Sequence, residues 1–224
     1  MAGAMMTGKR LVLLGACLAL GACSVLREAI YDRETPLAPL TAATLGATSR
    51  DDIVRQYGAP DEIDTRWFES FQAEVYVYLD NGDRGGSAQY RFLACEFSKG
   101  VLTAYAYHER LDEDAAGFDD KARGGLEKGK STRQDVQRQL GPPQGRALLP
   151  TTINLQALQT KLGGAPFPLS KVPEDSAEVW QYYSQNFGLG LRKSGQKTLS
   201  VFFDAHGQYL GSALLQETVT KAAP

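Results

Sequence analysis

Apolar residues follow two different patterns along this chain. In two short segments they lie four positions apart, Ile53 with Tyr57 and Val136 with Leu140, which is the spacing that forms one buried face of an α-helix. After each segment come runs rich in β-branched and aromatic residues, which are typical of β-strands. The runs are 74–78, 93–97 and 101–107 after the first segment, and 178–182, 199–203 and 209–215 after the second.

The two helical segments are copies of one another. Residues 46–60 read GATSRDDIVRQYGAP and residues 129–143 read GKSTRQDVQRQLGPP, with seven of the 15 positions identical at a constant offset of 83. Unrelated segments of average composition would match at about one position in 15. The chain therefore contains an internal repeat.

Both copies carry the signals of a short capped helix. Ser49 and Thr132 stand where an N-cap residue belongs, and Asp52 and Asp135 follow three residues later, which is a capping box made with a carboxylate. A glycine and then a proline close each segment, and these residues are typical of a helix end. We therefore expect a helix of about two turns in each copy.

These elements predict an α+β fold of two tandem repeats, each with one or two short helices followed by a three-stranded antiparallel meander. The second copy is longer than the first because it contains an insert rich in proline and glycine. The expected parts are a signal peptide at 1–22, a lipidated tether at 23–40, the first repeat at 41–111, an acidic linker at 112–125, the second repeat at 126–217 with its insert at 145–175, and a C-terminal tail at 218–224.

The first 22 residues have the pattern of a secretory signal. Lys9 and Arg10 precede an apolar run of 12 residues at 11–22, which is well short of the roughly 20 residues needed to span a bilayer. The run ends in the tetrapeptide LGAC, whose last residue is Cys23. An earlier LGAC ends at Cys17, but cleavage there would leave too short an apolar run, so we favour Cys23.

The LGAC tetrapeptide resembles the lipobox of bacterial lipoproteins, whose cysteine is diacylated and becomes the new N-terminus. The resemblance implies a membrane anchor through lipid on Cys23. Ser24 follows this cysteine, and an aspartate does not, which implies export to the outer membrane with the protein facing the periplasm. The alternative is an ordinary signal peptide followed by an accidental cysteine.

Charge and cysteine content narrow the function classes. Without Lys9 and Arg10, residues 23–224 have a side-chain charge of 22 − 26 = −4, which argues against a nucleic-acid partner. Cys95 would be the one cysteine without lipid, so no intramolecular disulfide is expected. Leu93 and Phe97 flank Cys95 at two-residue spacing, which favours a packed, unreactive thiol over a nucleophile.

The sequence offers little for catalysis or metal binding. His108 and His206 have no cysteine or carboxylate at ligand spacing, so we expect no metal site. The Asp-x-Asp at 112–114 could begin a calcium loop, but the twelfth position is Arg123 and not the required glutamate. Motifs for hydrolases, metalloproteases and phosphate-binding loops are missing from the sequence. We therefore expect no enzyme, no catalytic residue and no cofactor.

Aromatic residues stand at alternate positions of the predicted strands. If the face that carries Cys95 is the core, these rings lie on the opposite, exposed face, where rigid amphipathic side chains are typical interface anchors. Cross-strand aromatic pairing, or cover by the insert at 145–175, remains open. The candidate partner-binding residues are Tyr76, Tyr78, Tyr105, Tyr107, Trp180 and Tyr182.

The repeated motif, Gly-x-(Ser/Thr)-(Ser/Thr)-x-x-Asp-(Ile/Val)-x-x-x-(Leu/Tyr)-Gly-x-Pro followed by three strands, resembles the SmpA/OmlA (BamE-like) family of outer-membrane lipoproteins. The lipobox agrees with this resemblance independently. It implies a role beside the β-barrel assembly machinery. The best-known members have one copy, whereas this chain has two, and the tandem arrangement looks like the β-lactamase-inhibitor-protein fold, in which two helix-plus-sheet repeats form one concave sheet surface.

Two functions follow from these patterns. The first is a non-enzymatic protein-interaction module of the outer membrane, working in envelope or β-barrel assembly or maintenance with a periplasmic or outer-membrane protein partner. The alternative is an inhibitor or regulator of a periplasmic enzyme that acts through the concave sheet face. An enzyme is a distant third.

Overall fold

One antiparallel sheet of eight strands, arranged in chain order, dominates the described part of the protein. The computed structural model describes residues 37–68, 71–83, 88–110, 118–119, 121–150, 172–187 and 193–220. The strands are β1 Glu62–Phe68, β2 Phe71–Asp83, β3 Ala88–Ser98, β4 Val101–Arg110, β5 Gly145–Leu148, β6 Glu178–Phe187, β7 Lys193–Phe203 and β8 Tyr209–Thr220. The helices described are α1 Arg50–Tyr57, a 3-10 turn at Ala122–Gly125 and α2 Arg133–Leu140.

Each α-helix begins with the capping box that the sequence predicts. The Ser49 Oγ accepts a hydrogen bond from the Asp52 N–H at 3.2 Å, and the Asp52 carboxylate accepts one from the Ser49 N–H at 3.2 Å. Thr132 and Asp135 make the same pair of bonds at the start of α2. These bonds satisfy amide groups that have no partner within the helix, so they set where each helix begins.

Each helix start is also held against the last strand of its own half of the chain. The Gly46 N–H donates to the Leu102 carbonyl of β4 at 2.8 Å, and the Gly129 N–H donates to the Tyr209 carbonyl of β8 at 2.8 Å. Gly46 and Gly129 have φ angles of 79° and 73°, which L-amino acids with side chains rarely adopt. The repeated glycine is therefore explained by the turn that brings the helix onto the sheet.

The predicted fold class, an α+β fold of two helix-plus-three-stranded-meander repeats, is wrong. The described chain is predominantly β, with two short α-helices and a single continuous sheet. Each half has one strand more than the three predicted, and this strand follows the helix directly. It is β1 in the first half and β5 in the second. The short strand β5 pairs with β4 on one side and β6 on the other, so it joins the two halves into one sheet. Four residues give too short an alternation to be recognised, and β5 lies inside the predicted insert at 145–175.

The other predicted boundaries stay predictions. The signal peptide, residues 23–36 of the tether with Cys23, and residues 151–171 of the insert lie outside the described residues. In the part of the chain that is described, no helix has the length and apolar content needed to cross a membrane.

The sheet buries apolar side chains on both faces. On the face that carries the helices, one cluster includes Ile53 of α1 and a second includes Val136 and Leu140 of α2. The opposite face has a third cluster that crosses six strands, formed by Val75, Val77, Phe92, Ala94, Ala104, Ala147, Val179 and Phe202. Strands buried on both faces show no simple alternation of apolar and polar residues. The aromatic residues of these strands can therefore be buried on either face.

Candidate interaction surface

The six aromatic residues predicted to bind a partner are in the interior. Their exposed fractions are between 0 and 8 %, so the predicted exposed aromatic face is wrong. The residues concerned are Tyr76, Tyr78, Tyr105, Tyr107, Trp180 and Tyr182. The strand register explains the error, because Tyr76 lies opposite Cys95, and Cys95 lies opposite Tyr105. Cross-strand partners share a face, so the rings and Cys95 belong to the same core.

These rings hold the helices on the sheet. The Tyr78 ring lies 5.8 Å from that of Tyr57 in α1. Near α2, the Tyr182 ring lies 6.0 Å from that of Phe118, and its hydroxyl donates to the Gly141 carbonyl at 3.1 Å. Burial raises the pKa of Tyr182 above its ordinary value. The aromatic rows are therefore packing residues beneath the helices.

Two of the residues considered for chemistry, Cys95 and His108, are packed side chains. Cys95 is fully buried, and burial raises the pKa of its thiol, which suppresses the reactive thiolate. The His108 ring packs edge-on against Tyr183, with centroids 4.6 Å apart, and His206 lies in an exposed turn. Among the described residues, no three His, Cys, Asp or Glu side chains lie close enough together to hold a metal ion.

A buried ion-pair network at the junction of the two halves was missed from sequence. The Glu178 side chain is 3 % exposed and its carboxylate accepts from Arg133 Nε at 2.7 Å, Arg146 Nη2 at 2.7 Å and Trp180 Nε1 at 2.7 Å. The Arg146 guanidinium also lies 5.3 Å from the centroid of the Trp180 ring, within the range of a cation–π contact. Four side chains from α2, β5 and β6 are thereby fixed together.

This network has a structural role. A buried carboxylate is costly unless its oxygens are hydrogen-bonded, and the donors to Glu178 supply those bonds. Arg146 is the residue of β5 that lies between Tyr105 of β4 and Trp180 of β6. The network therefore fastens the strand that connects the halves, and only the spatial meeting of α2, β5 and β6 reveals it.

A second buried network fixes the point where the described chain begins. The Leu37 N–H donates to the Asp80 carboxylate at 3.1 Å, and the Tyr107 hydroxyl donates to the Leu37 carbonyl at 3.3 Å. Arg91 pairs with Asp80 at 3.3 Å and with Glu109 at 2.8 Å. Leu37 itself is part of the core beneath α1. The tether therefore joins the folded body at a fixed position.

The exposed feature with the character of an interaction surface is β1, at one edge of the sheet. Ile63 is 61 % exposed, and where the burial of the side chains is described it is the one large apolar residue that is exposed. Glu62, Asp64 and Thr65 beside it are exposed as well. The outer side of an edge strand can offer backbone N–H and C=O groups to a strand of another chain. The edge of β1 thus combines an apolar side chain, acidic side chains and backbone hydrogen-bonding groups.

Comparisons with known proteins add little. No protein-family model matches the chain, and no curated protein matches it. One solved structure is similar, a "putative beta-lactamase inhibitor protein" from Streptococcus mutans, at 13 % sequence identity and a TM-score of 0.40, covering 85 % of this chain and 94 % of that one. The tandem arrangement of the sequence resembles the same kind of protein. The SmpA/OmlA resemblance stays a prediction.

Proposed function

We propose that this chain is a lipid-anchored protein-interaction module of the outer membrane that faces the periplasm and is not an enzyme. Its work would lie in envelope or β-barrel assembly or maintenance. A basic segment, an apolar run of 12 residues and LGAC ending at Cys23 have the pattern of a lipoprotein signal, which supports the proposed anchor.

The observation that carries the non-enzymatic part is how the described chain uses its buried polar groups. Glu178 is surrounded by the donors of Arg133, Arg146 and Trp180, and Asp80 accepts from Leu37 and Arg91. Catalytic groups need an open path to a substrate and a pKa suited to proton transfer or attack. These carboxylates instead hold strands, a helix and the tether end together, which supports a scaffold.

Membrane anchoring is tested first. Cys23→Ala should prevent lipidation and move the protein from the membrane fraction to the soluble periplasm, because the acyl chains supply the membrane affinity. If the Cys23→Ala protein still fractionates with membranes after a salt and carbonate wash, the proposed anchor is wrong.

The interaction role is tested by crosslinking in intact envelopes. A photo-crosslinking residue at Gln137, exposed on α2, and another at Thr65, exposed on β1, sample two sides of the body. A reproducible crosslink to a subunit of the barrel-assembly machinery would support the proposal. A crosslink to a periplasmic hydrolase whose activity falls on binding would support the alternative, an inhibitor or regulator. Absence of any lipid-dependent crosslink at either site would contradict both.

A further inference from the structure

The internal repeat allows β1 to be compared with its equivalent strand in the second half, β5. The offset of 83 that aligns the helices also aligns Ile63 of β1 with Arg146 of β5. The alignment holds in space, because Ile63 lies opposite Tyr76 of β2, and Arg146 lies opposite Trp180 of β6. The strands β1 and β5 are therefore equivalent members of the two halves.

The two strands differ in their second neighbour. The strand β5 pairs on its other side with β4 in antiparallel register, with Tyr105 opposite Arg146. The strand β1 ends the sheet, so among the described strands β2 is its sole neighbour. The Arg146 side chain is 25 % exposed, whereas the equivalent Ile63 is 61 % exposed. The fold therefore contains, within itself, a template for an antiparallel strand at the β1 edge.

Side chains on β1 define the chemistry of such a strand. Ile63 projects to the helix-bearing face with Tyr76, whereas Glu62 and Asp64 lie opposite Val77 and Val75 and belong to the other face. Residues 61–66 contain three carboxylates and one arginine, so their net side-chain charge is 1 − 3 = −2, and the arginine, Arg66, pairs with Asp64 at 2.9 Å. Cross-strand pairs favour opposite charges and paired apolar side chains. A matching strand would thus place an apolar residue beside Ile63, flanked by basic residues.

A second copy of this chain is a poorer match. If two β1 strands paired antiparallel about Ile63, each Glu62 would lie opposite an Asp64 of the other copy. Like charges directly opposite one another destabilise strand pairing, and charged edge strands are a common protection against self-association. Self-pairing centred on Ile63 is therefore disfavoured, and the net negative charge of residues 61–66 favours a basic partner.

We propose that the β1 edge binds an extended segment of a partner protein by antiparallel strand addition, and that this segment alternates basic and apolar residues. The inference deepens the proposed interaction role by naming its surface, and so rests on it. Backbone hydrogen bonds would supply part of the affinity, and the alternation of side chains would supply the selectivity.

The test uses the full chain, purified in detergent, and a fluorescent five-residue peptide in which lysine alternates with valine. Binding is followed by fluorescence anisotropy. Ile63→Ser and the double change Glu62→Lys with Asp64→Lys should each weaken binding by about tenfold, which corresponds to about 1.4 kcal/mol. Asp51→Lys is the matched control, because the Asp51 side chain is 82 % exposed and lies on α1, so it should leave affinity within about twofold.

Two further controls separate strand pairing from simple charge attraction. A peptide of the same composition with its lysines grouped together should bind at least about tenfold more weakly, because it cannot alternate across the strand. Amide hydrogen exchange in β1 should slow when the alternating peptide binds. Equal binding of both peptides, no binding of either, or no effect of Ile63→Ser would overturn the inference.

Other outcomes distinguish this inference from the broader function. Self-association that is lost in Ile63→Ser would assign the edge to a second copy and overturn the basic-partner inference. A crosslinked envelope partner whose capture is unaffected by the β1 changes would leave the interaction module intact and refute the β1 surface. Loss of that partner from the β1 variants, with thermal melts unchanged, would support both.

Discussion

Equivalent Arg–Glu ion pairs in the two halves of the molecule differ in how deeply they are buried. In the first half, Arg50 of α1 and Glu74 of β2 form an ion pair of 2.9 Å, with side chains 41 % and 43 % exposed. In the second half the equivalent residues, Arg133 and Glu178, are joined by Arg146, and Glu178 is 3 % exposed. An ordinary surface contact in one half is therefore a buried network in the other.

The position of the preceding strand explains the difference. The strand β1 lies at the sheet edge and offers Ile63, an apolar residue with no charge to contribute. The strand β5 lies inside the sheet and offers Arg146 between Tyr105 and Trp180. Because an interior strand excludes water on both sides, a charge there requires a buried partner. The comparison teaches that a residue's energetic role depends on where its strand lies in the sheet.

The largest expected effect concerns the core beneath α2. Trp180→Ala should lower the free energy of unfolding by about 4 kcal/mol, because it leaves a cavity and removes a donor to Glu178. Leu93→Ala, in the core beneath α1, should cost about 3 kcal/mol. Chemical denaturation of both variants checks the order. A Trp180→Ala protein as stable as the unmodified chain would mean that this ring is not a core residue.

The second effect tests the contrast between the ion pairs directly. Glu178→Ala should cost about 3 kcal/mol, since it leaves two arginines without their shared carboxylate. Glu74→Ala removes only a half-exposed pair and should cost less than about 1 kcal/mol. Equilibrium unfolding in urea measures both changes. Similar losses for the two variants would refute the proposed difference between edge and interior.

The third effect should be equal in the two halves, because the capping boxes are alike. Ser49→Ala and Thr132→Ala should each lower the free energy of unfolding by about 1 kcal/mol. Ser49→Asp and Thr132→Asp keep an N-cap acceptor and serve as controls, with smaller expected losses. A several-fold difference between the two alanine variants in urea unfolding would show that one helix matters far more to the fold.

The smallest effect is a dependence on pH. Hydrogen bonds from Ser49 and Arg55 lower the pKa of Asp52 from 3.8 to about 2. A carboxyl whose pKa is lower in the folded state stabilises the protein above its unfolded pKa, and this contribution is lost as the pH falls towards 2. Asp52→Asn should therefore reduce the loss of thermal stability between pH 4 and pH 2. Parallel melts of the two proteins that change equally over this range would contradict the assignment.

Local signals predicted more of this molecule than long-range ones. The capped helices at 50–57 and 133–140 could be identified because caps and glycine stops act within a few residues. The buried state of Cys95 was also predicted correctly. The core face was not, since Val75 and Val77 are as apolar as Tyr76 and Tyr78, and β2 is buried on both faces. Alternation cannot then tell which set faces the helices.

The network around Glu178 required knowledge of strand pairing. Arg133, Arg146 and Glu178 are separated by up to 45 residues along the chain, and no local pattern links them. Likewise, β5 is too short to be recognised by itself, although its pairing with β4 and β6 determines that the sheet is continuous. Both features depend on which strands are neighbours in the sheet, and the local pattern of residues in one sequence does not indicate strand neighbours.

Because Asp80 and Tyr107 hold Leu37 in place, Leu37 is the point from which the distance to the proposed membrane attachment is counted. If Cys23 carries the proposed lipid, it lies 14 residues before this fixed point in the sequence. Fully extended, these residues reach about 48 Å, which is close to the roughly 43 Å length of a 13-residue strand such as β2. Under the proposed anchor, a tether of that length would let the folded body turn but would keep it beside the bilayer. A partner farther from the membrane would then have to extend a segment of its own to reach it.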